Sequence, residues 1–103
     1  MPAVVRREAA KRDLLRHFIY LAEHASVEVA DRFLAGARTS FRQLAEMPLM
    51  GASAGIPSGK NAGVRIWPVR GFGRYLILYR PVTGGVQIER VVHASVDYRR
   101  VLT

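Results

Sequence analysis

Cysteine is absent from this 103-residue chain, which removes disulfides and thiolate metal sites together. Histidine occurs only at positions 17, 24 and 93, without the spacing of a zinc ligand set, so neither a metal nor another cofactor is expected. Lysine is nearly missing too: of 16 basic residues, all but Lys11 and Lys60 are arginine. No apolar run approaches the ~20 residues that cross a bilayer. The opening MPAVVRREAAKRD also lacks the apolar stretch of a signal peptide. A chain of this length has room for one core, and the expectation is a single soluble, cytoplasmic domain over residues 1–103 with no membrane association.

What is present is positive charge, unevenly placed. Residues 1–46 hold eight basic against six acidic side chains, residues 47–103 eight against two, so the C-terminal half carries +6 of the net +8. That half is where an acidic partner is expected to land. Arginine's planar fork suits bidentate pairing with phosphate or carboxylate. An arginine excess also follows from genomic base composition, and both sources stay open.

Val4 and Val5 read as a short first strand. Ala10, Leu14, Phe18, Leu21 and Ala22 then recur at helical spacing. Ser26 is a good N-cap for a second helix, with Glu28 and Asp31 near its positive end. Its apolar stripe is Ala30, Phe33, Leu34, Ala37, Phe41, Leu44 and Ala45, and Pro48 stops it. The few residues joining the two helices predict an antiparallel hairpin. Residues 48–63, PLMGASAGIPSGKNAG, have little to bury and read as a loop. Within it GIPSGKN falls one residue short of a phosphate loop and lacks the hydroxyl after its lysine, so no nucleotide site is assigned.

Three strands follow, at about 64–70, 74–80 and 86–93, with glycine turns at 71–73 and 83–85. The expected fold is α+β: an N-terminal strand, a two-helix antiparallel hairpin, then a three-stranded antiparallel meander. The middle strand YLILY is apolar on both faces, Tyr75, Ile77 and Tyr79 on one and Leu76 and Leu78 on the other. One helical hairpin covers one face. The C-terminal tail, a second copy or a partner's segment must cover part of the other, and a partner's segment is the expected choice.

This order of elements in a basic chain resembles the ParE/RelE superfamily of bacterial toxins. The resemblance is carried by Ala10 and Asp13-Leu14, by Ala30 and Phe33, by Leu44, Pro48 and Gly51, by Val64-Arg65, by Tyr75 through Tyr79-Arg80, and by Arg90-Val91-Val92-His93 with Asp97. The His93 to Asp97 ending is more similar to ParE than to RelE. The resemblance implies a type II toxin that stabilises plasmids by inhibiting growth: it binds DNA gyrase, is not itself an enzyme, and is neutralised by a ParD-like antitoxin. A homodimer or a toxin–antitoxin hetero-oligomer is compatible with it. Candidate target contacts are Arg70, Phe72, Arg74, His93, Asp97, Arg99 and Arg100, and candidate antitoxin contacts are Tyr75, Ile77 and Tyr79. Val96 stands where the family pattern has arginine, so any role of that guanidinium is lost here and an attenuated toxin is expected.

The alternative that the resemblance implies is a RelE-like, ribosome-dependent messenger-RNA endoribonuclease. It needs a base, an acid and cations, for which Arg65, Arg80, His93 and Tyr98 are the available types. A further alternative is a basic nucleic-acid-binding module. Several of these residues also have a plain packing role. His93 can tie the tail to the sheet by a hydrogen bond, His17 sits on a helix flank, and His24 falls in a helix's last turn, where a cation is favoured. Asp97 can make surface ion pairs with Arg99 and Arg100. Trp67 reads as a core aromatic, whereas Phe72, between two glycines, is the better candidate for an exposed anchor.

Overall fold

The computed structural model describes residues 2–102. In chain order the elements are β1 (Ala3–Arg6), α1 (Glu8–His24), α2 (Val27–Glu46), β2 (Ala52–Ser53), β3 (Arg65–Val69), β4 (Phe72–Val82), β5 (Gly85–His93) and α3 (Tyr98–Leu102). Ser26 caps α2, its hydroxyl oxygen accepting from the Val29 N–H at 3.1 Å. Glu8 opens α1 next to the positive end of the helix dipole.

The expected three-stranded meander is the centre of a larger, mixed sheet. Its order is β1-β5-β4-β3-β2, with β1 parallel to β5 and every other pair antiparallel. Local patterning cannot show a pairing of Ala3–Arg6 with Gly85–Ile88, because a parallel pair needs a long crossover, here the whole helical hairpin and the strands after it. Gly85 permits the approach. A Cβ there would collide with the carbonyl oxygen of Ala3. The two hairpins close with Gly71 at φ 79° and Gly84 at φ 82°, conformations that side chains resist.

A register shift beside Glu89 decides which β5 side chains face the helices: Tyr79 pairs with Ile88 while Leu78 pairs with Arg90. Ile88 and Val91, three residues apart, would point to opposite faces of a regular strand. With the bulge they join Phe33, Phe41, Leu44, Ile77 and Tyr79 in one core beneath α1 and α2.

The second face is covered by the chain itself. Ala54, Val64, Leu78 and Val92 form a smaller cluster under Ile56, Tyr98, Val101 and Leu102. This corrects the expectation that a partner's segment fills that face. Five residues are too few for an independent helix. α3 is held by this packing, by the Tyr98 hydroxyl donating to the Ala54 carbonyl (3.1 Å), and by the Asn61 amide donating to the Leu102 carbonyl (2.7 Å). The connector at 48–63 is correspondingly less loose than its composition suggests. Tyr79 donates its hydroxyl to the Pro48 carbonyl and accepts from the Gly51 N–H, and Ala54 is buried.

Candidate functional site

β1 ends before β5 does. The last bond between them runs from the Arg7 N–H to the Ile88 carbonyl (3.0 Å), after which the edge of β5 needs another partner. Two α1 side chains one turn apart supply it. Asp13 Oδ2 accepts the Val91 N–H at 2.9 Å, and His17 Nε2 lies 2.7 Å from the Val91 carbonyl, to which it donates. Asp13 is 1% exposed and also takes both forks of Arg90, at 2.7 and 2.9 Å, with Arg16 as a third donor. Burial alone would raise the Asp13 carboxyl. The hydrogen bonds from Arg90 and Val91, with the charges of Arg90 and Arg16, outweigh it and hold the group below its ordinary value. Arg90 is raised in return, chiefly by its hydrogen bond to Asp13.

Beyond this seam a cleft of about 470 Å3 opens between α1 and the end of β5, lined by Arg16, His17, Tyr20, Tyr75, His93 and Ser95. Tyr75 stands between the histidines, with ring centroids 4.9 Å from His17 and 5.2 Å from His93, both edge-on. Burial pushes His17 down, against the opposing pull of the Val91 carbonyl and Asp13, so the ring is held neutral with its proton on Nε2. His93 Nδ1 accepts the Ser95 N–H at 3.1 Å and lies 2.8 Å from the Ser95 hydroxyl. That is a turn-closing role, as its packing reading expected.

A 19% identical solved structure, from the "Chromosomal ParDE TA system from P. aeruginosa", superposes with a TM-score of 0.71, covering 90% of this chain and 96% of that one. At that identity it speaks for the fold. No curated protein matches the sequence. Residues 4–98 match the family described as "ParE toxin of type II toxin-antitoxin system, parDE". The chain belongs to the ParE toxin family. Its described helices include none long and apolar enough to cross a membrane.

Within this ParE fold, the sequence-derived target contacts divide. Arg70, Phe72, Arg74 and His93 gather at one end of the sheet: the β3–β4 turn lies there, Tyr75 pairs with His93, and the Ala94 N–H bonds the Arg74 carbonyl. Asp97 follows in the adjoining turn, where it accepts the Arg99 N–H and faces Arg100 at 3.8 Å. Arg99 instead lies toward Gly55 and the 55–61 loop. Phe72 is not an exposed anchor. Its ring meets Phe33 edge-on at 5.4 Å, because the hairpin tip folds back against α2. Trp67 packs against the main core as expected.

The antitoxin candidates fare differently. Tyr75, Ile77 and Tyr79 all belong to the core under the helices, and Ile77 and Tyr79 have no exposed surface, since the helical hairpin covers this face of β4. The ribonuclease set is dispersed. Arg65 shares its face with Trp67 and Tyr79, whereas Tyr98 packs on the opposite face, and Arg80 is occupied by Glu89 (3.2 Å) and Asn61 (3.3 Å). His93 lies toward the far end of β5 from the Arg80–Gln87 pair. Among the described residues the Arg65 Nε is a buried donor without a bond. Sequence reasoning named Asp13 and Arg90 only as parts of a resemblance. Their pairing spans 77 positions, and the one local hint is an acid inside an apolar helix stripe.

Proposed function

We propose that this chain is a ParE-type toxin that binds DNA gyrase, arrests it with DNA broken, and is held inactive by a ParD-like antitoxin. The observation that carries this reading is the family match across residues 4–98. Charge supports it as well: the sheet end bearing Arg70 and Arg74 presents exposed cations toward a target engaged with DNA. Since Tyr75, Ile77 and Tyr79 are covered, the antitoxin's apolar contacts fall on exposed side chains instead. Leu15 and Ile19, one turn apart on α1, are such a pair. An acidic segment that orders as it binds suits a surface that is both apolar and positive.

Val96 is 42% exposed in the turn after β5, and its N–H bonds the His93 carbonyl, so an arginine side chain can be accommodated there without disturbing the core. On this reading Val96 marks an attenuated toxin. The test is calorimetry with the product of the adjacent small gene, for which a nanomolar complex is expected; absence of binding contradicts the assignment. Inducing the chain should raise the DNA-damage response and leave messenger lengths unchanged. Val96→Arg should deepen the growth defect, and equal growth with either residue removes the attenuation idea.

A further inference from the structure

We propose that the cleft between α1 and the end of β5 binds one nucleotide of a single-stranded nucleic acid, its base on the exposed Tyr20 ring and its phosphate against Arg16, Tyr75 and His93. The proposal goes beyond the toxin reading and needs neither gyrase nor an antitoxin.

Its first support is the unused polar atoms. Tyr75 is 8% exposed and its hydroxyl has no bond to the described residues, yet that hydroxyl is absent from the buried unbonded atoms, so the oxygen reaches the cleft. The same holds for His17 Nδ1, which is left bare because Nε2 is spent on the Val91 carbonyl. His93 presents Nε2, since Nδ1 is taken by the Ser95 turn. A phosphate supplies acceptors for the Tyr75 and His93 donors, and a ribose hydroxyl or a base amine supplies the donor that His17 Nδ1 lacks.

Charge is the second support. Among the described residues no carboxylate lines the cleft, and Asp13, beneath its His17 wall, is taken up by Arg90 and Val91. Arg16 reaches Asp13 through a single nitrogen, and its side chain is 63% exposed, leaving the rest of its fork for an anion.

The third is a stacking platform. Tyr20 is 54% exposed and lies nearly parallel to His24, with centroids 4.1 Å apart and planes at 20°. The His24 Nδ1 bond to the Tyr20 carbonyl (2.9 Å) fixes the pair, so one flat aromatic surface already stands at the mouth of the cleft. A base adds to it without a rearrangement, and every base has a π-face to offer. The volume falls within the ~300–1,000 Å3 of small-ligand sites. An acidic peptide satisfies the same donors but has no use for the stacked platform, so the aromatic surface selects the nucleotide.

Fluorescence anisotropy of a labelled oligothymidylate and oligouridylate with the purified full chain tests this. Tyr20→Ala should weaken binding about fivefold or more. Arg16→Gln should weaken it by a similar factor and lower the salt slope by about one counterion. Both side chains are exposed, so circular dichroism should show the fold intact. Arg38→Gln, which removes the same charge from α2, should change affinity by less than about twofold. The proposal is overturned by absent binding, by equal losses in Arg16→Gln and Arg38→Gln, or by polyglutamate that displaces the oligonucleotide and depends on Tyr20 as strongly. Unlike these results, a failed gyrase or antitoxin assay bears on the toxin reading alone.

Discussion

The two halves of β5 are held by different means. Gly85–Ile88 pairs with β1 backbone to backbone, whereas Val91, past the end of β1, is held by the side chains of Asp13 and His17 from α1. A strand ladder tolerates most side chains so long as the backbones can meet. The side-chain substitute depends on two residues and on the charge balance around them. The half of the edge left without a strand is also the half beside the open cleft, so one economy of topology, a short β1, creates both the buried ion pair and the site next to it.

The largest effect should come from breaking the side-chain half. Asp13→Ala strands the Arg90 guanidinium and the Val91 N–H, and a loss of about 3–5 kcal/mol is expected in urea denaturation. A loss under about 1 kcal/mol means that water replaces the carboxylate freely and that the seam is not a special point of the fold. The backbone half breaks differently. Gly85→Ala drives a methyl into the Ala3 carbonyl, and a cost of about 1–3 kcal/mol with loss of hydrogen-exchange protection at Ala3–Arg6 is expected. If protection is lost equally at Val91, the two halves are one unit and the distinction fails.

Acid should separate the halves without mutation. His17 is lowered in the folded chain, first by burial, so the unfolded chain binds the proton more readily; the stability of its neutral form is complete above the unfolded value near 6.5 and is lost as pH falls toward the folded value. Asp13 acts in the same direction at lower pH, its contribution being present above its ordinary value of 3.8 and lost below it. Melting temperature should therefore fall on acidification through pH ~6, and His17→Gln, which can still donate to the Val91 carbonyl, should flatten that limb while leaving Gly85→Ala's pH profile unlike its own. An unchanged slope in His17→Gln places the titration elsewhere. The smallest effect lies outside β5: Ser26→Ala removes the α2 cap for about 1 kcal/mol and should leave the acid limb untouched.

Legibility in the sequence follows the same division. The helical stripes, the Ser26 cap, and the Gly71 and Gly84 turns are local, and each was readable from neighbours a few residues apart. So was the hydrogen-bonding role of His93. The parallel seating of β1, the bulge at Glu89 and the Asp13–Arg90 pair join positions that no short window contains. The apolar surplus on β4 was read correctly as needing cover on both faces. The tail is one of the three covers that the sequence offers, but a five-residue α3 has too little periodicity to favour it over a partner's segment, and Tyr98, Val101 and Leu102 are the side chains that close this face. Tyr75, Ile77 and Tyr79 face the helices and not a partner, a choice that alternation leaves open because it tells that two faces exist and not which one the helices cover.

The most direct test of the toxin reading is purified gyrase with supercoiled DNA, scored for trapped cleaved DNA in the presence of this chain and of its Val96→Arg form. The account predicts cleaved complexes that increase with Val96→Arg and disappear when the ParD-like antitoxin is added. Gyrase that cycles normally with both forms, at concentrations where the antitoxin complex is fully formed, contradicts it.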